Sequence, residues 1–216
     1  MPSMILVVVV LLLKTRLGVI TMRVLVVRSM KRGQHSEGGA IYITENASFT
    51  TCTMTNNAAG EGGAMSVSTG TTTLTGCDIS GNYVPYYAGG SGTYLYYSTM
   101  TAEDTTWSDN YAGYGGAIFE EGSTLSLSFS TFNSNEAYES GGAVYITEDA
   151  SFMNCTMTKN EADRGGAIFV YYASTTLIGC DISSNTVPYN NNGGAARLYY
   201  GTMIAEDTTW SDNYGG

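Results

Sequence analysis

Three kinds of side chain in this 216-residue chain could do chemistry, and their spacing decides what each is worth. Two carboxylate pairs, Glu103-Asp104 and Glu206-Asp207, are the closest approach to the paired acids that glycoside hydrolysis uses. Lys159, Arg164 and Arg197, with Asp163 and Asp181, could face one groove, hold an acidic sugar and take a proton from it. Four cysteines, Cys52, Cys77, Cys155 and Cys180, fall into two pairs, each 25 residues apart. Repetition argues against catalysis. Glu206-Asp207 copies Glu103-Asp104, Asp181 copies Asp78, and neighbours on a strand point to opposite faces, so neither acid pair converges on one substrate. No catalytic residue is assigned, and the chain is expected not to be an enzyme.

Metal chemistry is equally poorly supplied. The single histidine, His35, lies outside the spaced cysteines, and two thiols per pair are too few for a zinc site. No cofactor is expected beyond weakly held Ca²⁺ on an acidic surface. The paired cysteines read as stacked, buried small hydrophobes, with strained Cys52–Cys77 and Cys155–Cys180 disulfides as the alternative. Binding potential rests with the 17 tyrosines, which cluster at Tyr83, Tyr86, Tyr87, Tyr94, Tyr96 and Tyr97, and again at Tyr189, Tyr199 and Tyr200. Much of the cluster is expected on a loop where one repeat is three residues longer. Tyr86, Tyr87, Tyr96, Tyr97, Tyr199 and Tyr200 are the candidate contacts to a carbohydrate or a cell-surface protein, because exposed rings stack on sugar faces. Packing of those rings along the body of the protein is the duller alternative.

The elements that must position these residues are set by a repeat. Asn57, Asn82, Asn110, Asn135, Asn160, Asn185 and Asn213 are separated by 25, 28, 25, 25, 25 and 28 residues. Glycine pairs punctuate the same intervals: the Gly-Gly-Ala of Gly38-Gly39-Ala40-Ile41 recurs at residues 62, 115, 141, 165 and 193, followed by Met65, Ile118, Val144, Ile168 and Ala196, and Gly89-Gly90-Ser91 stands in the third repeat. A longer period overlies this one, since AEDTTWSDN at 102–110 returns unchanged at 205–213. The chain therefore reads as a four-coil cassette followed by a second, truncated copy, with a repeat domain over 33–216.

Within each repeat apolar residues alternate over short runs, the period of a strand and not of a helix. One run follows the glycines, one ends on Phe49 and its equivalents, and one places Cys52 and Met54, or Thr105 and Trp107, on a common face. Three strands and three bends make a triangular all-β parallel solenoid of about seven coils, roughly 25 residues each. The asparagines are expected to form a structural ladder at one bend, hydrogen-bonded within their own turn and to the next coil.

The Gly-Gly-Ala-Ile tetrapeptides, combined with a bulky residue three positions before each asparagine (Met54, Ile79, Trp107, Phe132, Met157, Ile182, Trp210), resemble the GGAI and FxxN repeats of the chlamydial polymorphic outer membrane proteins. More broadly the chain is similar to the right-handed parallel β-helix, pectin-lyase-like class. The resemblance implies a right-handed helix, a secreted or outer-membrane-associated surface location, and adhesion. The same class includes polysaccharide-binding and polysaccharide-degrading proteins, which is the alternative reading.

Charge separates the chain into two parts. Six of nine basic residues lie in the first 32, whereas all 19 acidic residues lie at Glu37 or later. The repeats thus carry three cations against nineteen anions, a balance that repels phosphate backbones and excludes nucleic-acid binding. The segment 1–32 contains the apolar run Met4 to Leu13, compatible with a secretory signal, a membrane anchor or a non-native start. It is the only part expected to meet a membrane. The expected function is non-enzymatic: adhesion or a structural scaffold.

Overall fold

The computed structural model describes residues 38–85, 87–189 and 193–216, with three short strands nearer the N-terminus, Leu13–Lys14, Ile20–Met22 and Val27–Arg28. Apart from those strands, the expectations placed on residues 1–32 lie outside the described residues, as do those on His35 and Tyr86.

The three strands per coil are present, and each stacks on its equivalents to make a parallel sheet. Strands after the glycine pairs, Ile41–Ile43 through Ala196–Tyr199, form a seven-stranded sheet. The second set, Ala47–Thr50 through Thr202–Glu206, forms the body of a nine-stranded sheet, and the third, Thr53–Thr55 through Thr209–Ser211, most of an eight-stranded one. Register follows the repeat: Trp107 pairs with Ile79 on one side and Phe132 on the other. Ile20–Met22 and Val27–Arg28 add one parallel strand each to these last two sheets, and Leu13–Lys14 joins the nine-stranded sheet antiparallel to Ile20–Met22, so both sheets begin ahead of residue 33.

A fourth sheet corrects the triangular expectation. Tyr111–Tyr114, Glu136–Ser140, Glu161–Arg164, Thr186–Val187 and Tyr214–Gly215 pair in parallel just after the asparagines. Their inward positions are Ala112, Ala137, Ala162 and Val187, all buried. One small inward residue per strand leaves no alternation of large apolar side chains to read.

Left-handed residues make the corners. The residue before each ladder asparagine (Asn56, Gly81, Asp109, Ser134, Lys159, Ser184, Asp212) has φ between 53° and 63°. In each glycine pair the two residues do different work. The first has positive φ, whereas a Cβ on the second would lie within 3.0 Å of a carbonyl of the next coil, as at Gly116 against Gly142 and Gly142 against Gly166. In the third coil the positive φ falls on Gly90, and Thr93 pairs with Ile118. Gly90-Ser91-Gly92-Thr93, not Gly89-Gly90-Ser91, therefore stands in the place of Gly-Gly-Ala-Ile.

The core is one continuous column of inward side chains, including Phe49, Leu74, Ile118, Phe152 and Leu177. Trp107 and Phe132 stack in it with centroids 5.0 Å apart and planes 2° apart. The asparagine ladder runs alongside. Asn135 shows the pattern: its Nδ2 donates to Asn160 Oδ1 and to the Trp107 carbonyl, both at 3.0 Å. Its Oδ1 accepts from the backbone N–H and the Nδ2 of Asn110. The bulky residue three positions before an asparagine thus supplies the carbonyl that the next coil's asparagine binds. Asn57, Asn82, Asn110, Asn160, Asn185 and Asn213 join the same chain of bonds.

The cysteines are free and buried. They share a rung with Thr105, Ser130 and Thr208, and every one of these γ-groups donates to the carbonyl two residues earlier: Cys52 to Thr50, Cys77 to Thr75, Thr105 to Glu103, Ser130 to Ser128, Cys155 to Met153, Cys180 to Ile178 and Thr208 to Glu206. A small γ-donor closing a left-handed corner is what the position requires. Burial pushes the Cys77 thiol above its ordinary range, and Cys155 is raised by its hydrogen bond with Cys180 and then by burial.

Candidate functional site

Outward positions of the seven-stranded sheet are aromatic in successive coils, and in-register pairing turns them into stacks. Tyr94, Phe119, Tyr145 and Phe169 follow one another at centroid distances of 5.6, 4.9 and 5.0 Å. Arg197 occupies the next rung, paired with Phe169. Two residues further along the same strands, Tyr171 and Tyr199 stack at 5.4 Å with planes 7° apart. Around the corner, Tyr97, Tyr172 and Tyr200 hold φ of 44°, 54° and 51°, which turns their rings away from the core.

Toward the last coils this strip meets the fourth sheet along a groove of about 480 Å³. The seven-stranded sheet lines it with Tyr145, Phe169, Tyr171, Arg197 and Tyr199, and the fourth sheet with Tyr114, Glu139 and Arg164. Arg164 Nη1 lies 3.8 Å from Glu139 Oε2, a half-exposed ion pair. Tyr114 is pushed up to about 12, by burial and then by its hydrogen bond to Glu139. Burial, followed by the neighbouring Tyr171, likewise pushes Tyr145 up to about 12. Both phenols therefore stay neutral hydrogen-bond donors at physiological pH. Volume, ring content and two guanidinium groups fit a small polar ligand with a flat apolar face and a negative group.

Of the six tyrosines expected to contact a ligand, the five described, Tyr87, Tyr96, Tyr97, Tyr199 and Tyr200, do not converge. Tyr87 is on the enlarged loop and 83% exposed. Tyr96 and Tyr97 sit at a strand end and its corner, ring edge to ring face at 4.6 Å, instead of on that loop. Tyr199 and Tyr200 occupy the same two positions four coils later. Only Tyr199 of the described five lines the groove. Tyr171 and Tyr172 were missed, although Val170-Tyr171-Tyr172 repeats Leu95-Tyr96-Tyr97 and Leu198-Tyr199-Tyr200. Arg164 and Arg197 do share one groove, whereas Lys159 is the corner residue before Asn160, and Asp163 and Asp181 do not line it.

One further acid had no signal in the sequence. Glu120 points inward and is fully buried, with its carboxylate accepting from the backbone N–H groups of Ser123, Thr147 and Glu148. Burial outweighs these bonds and raises its pKa. It fastens the corner of one coil to that of the next, and lies outside the groove.

Residues 30–161 match the sequence model of the right handed beta helix region. No curated protein and no solved structure matches the chain. The match spans more than half of the 216 residues, and the parallel coils it covers continue in the same stacking to the end of the chain; the chain belongs to the right handed beta helix family.

Proposed function

We propose that this protein is a non-catalytic binding rod, secreted or displayed at a cell surface, that attaches to carbohydrate through its aromatic and arginine-lined groove. The observation that carries the reading is the placement of cations. The repeats hold only Lys159, Arg164 and Arg197, and two of these three line one groove together with five aromatic rings. In a strongly acidic rod this groove is the place suited to a negative group, and the rings beside it supply faces on which a sugar ring stacks. An acidic sugar unites both demands, its carboxylate taken by the guanidinium forks and its apolar face by Tyr171 or Tyr199.

Binding without turnover is favoured because the groove contains a single carboxylate, Glu139, already held by Arg164, whereas glycoside hydrolysis uses two. The surface location is supported by the resemblance of the GGAI and asparagine repeats to polymorphic outer membrane proteins and by the apolar run at Met4 to Leu13. The test is an array of neutral and acidic glycans probed with the full chain and with Tyr171→Ala/Tyr199→Ala and Arg197→Gln variants. Selective retention of acidic glycans, lost in both variants, supports the proposal. Equal binding by all three proteins, release of shortened glycan, or no binding by the folded chain overturns it.

A further inference from the structure

Four tyrosines close over the last two coils, and two of them take no part in the groove. Tyr172 and Tyr200 stack with centroids 5.0 Å apart and planes 19° apart, and they are 59% and 75% exposed. Tyr171 and Tyr199 lie edge-on against them at 4.7 and 4.8 Å. The backbone N–H of Tyr172 donates to the Tyr199 carbonyl at 2.9 Å, which fixes the two chain segments side by side. At the matching positions of the earlier cassette, 103 residues back, Tyr200 corresponds to Tyr97 but Tyr172 corresponds to Thr69. The paired phenols are thus a feature of the second cassette and not of the first.

We propose that Tyr172 and Tyr200 are an oxidative cross-linking site, joined as an intrachain dityrosine by a one-electron oxidant of the haem peroxidase and hydrogen peroxide class. Each phenol gives one electron and its hydroxyl proton to the oxidant. The two phenoxyl radicals join through a ring carbon ortho to each oxygen, and the hydrogens displaced from those carbons return to the oxygens as phenol hydrogens. The chain loses two hydrogens, and one hydrogen peroxide becomes two waters.

Geometry selects this pair. Rings already in contact couple as an effectively unimolecular step, ahead of any encounter between chains. A radical formed on Tyr171 or Tyr199 is in contact with the same pair. The thiols that would reduce a phenoxyl radical, Cys155 and Cys180, are buried inside the coil. The product ties residue 172 to residue 200 across a whole coil, so these two coils can no longer separate.

The test treats the full chain with a haem peroxidase and limiting hydrogen peroxide at several dilutions, reading dityrosine fluorescence and intact mass, with tandem mass spectrometry to locate the link. The expected product is a monomer lighter by two hydrogens, formed at a rate independent of dilution, with Tyr172 joined to Tyr200. Tyr172→Phe and Tyr200→Phe keep the ring stack and lose the signal, whereas Tyr83→Phe keeps it. Fluorescence that grows with concentration as covalent dimers, a link mapped to another pair, or an undiminished signal in Tyr200→Phe overturns the proposal. The map of the unaltered chain decides the matter even if a variant fails to fold.

Discussion

The indole Nε1 of Trp107 donates to Thr93 Oγ1 at 3.3 Å, across the inside of one coil. Trp107 is the largest fully buried side chain, and its N–H would otherwise be unpaired in an apolar column. Equivalent positions in other coils carry Met65, Ile118, Val144 and Ile168, so Thr93 departs from the pattern to serve the tryptophan. Gly92 departs for the same reason: a Cβ there would come within 2.8 Å of Trp107 Cδ1. Thr93→Val keeps the volume and removes the acceptor. It should lower unfolding free energy by about 1–2 kcal/mol in a denaturant titration, and an unchanged midpoint would show the bond to be idle.

Substitution in the middle of the asparagine ladder should cost more. Asn135→Asp removes the donor that serves both Asn160 and the Trp107 carbonyl and brings a buried charge to the bend. We expect a loss of about 3 kcal/mol or more at neutral pH. Because protonation restores one donor, part of that loss should return in acid; circular dichroism melts at two pH values measure both.

Cysteine replacements should be mild. Ser130 and Thr105 already fill the cysteine rung with the same donor geometry, so Cys155→Ser/Cys180→Ser should change stability by no more than about 1 kcal/mol. In the native chain the buried thiols should resist a maleimide at neutral pH and react fully once unfolded. Fast labelling of the folded protein would contradict this.

Glu136 and Glu161 are paired rungs of the fourth sheet, and Glu136 is held above its usual range by burial and then by Glu161. With the folded pKa raised above the unfolded value near ~4.3, its contribution to stability is full below that value and disappears as pH rises through the folded pKa. Glu136→Gln should therefore flatten the fall in melting temperature between mildly acidic and neutral pH. At neutral pH it should gain a few tenths of a kcal/mol, discounted for the exposure of the site. A steeper fall in the variant would reverse the assignment.

Positions dictated by the backbone were legible in the chain. Asparagine at the bend, glycine where a Cβ would strike the next coil, and alternation in three strands recur because each coil meets the same geometric demand. The fourth strand escaped because Ala112, Ala137 and Ala162 bury too little to produce a pattern. The groove was legible in part. Arg164 and Arg197 were expected to face one groove and do, but its aromatic lining escaped because Tyr114 and Tyr171 lie in different sheets and only the stacking of coils brings them to the same place. The enlarged loop also drew attention to Tyr87 and away from the Tyr171-Tyr172 pair, which sits on a regular strand and its corner. Glu120 had no sequence signal because its partners are backbone N–H groups of residues up to 28 positions away.

Asn82 and Asn110 are 28 residues apart and Asn110 and Asn135 are 25, yet each pair makes the same amide-to-amide bond, 2.9 Å in both cases. The ladder fixes where a coil must return and is indifferent to how much chain is spent on the way. Evolution can therefore edit this protein at two separate scales: whole coils can be copied as units, as the duplicated cassette records, while loops lengthen within a coil without shifting a neighbour. Binding specificity on such a rod can change by loop growth or coil duplication, with the column of asparagines acting as a fixed ruler.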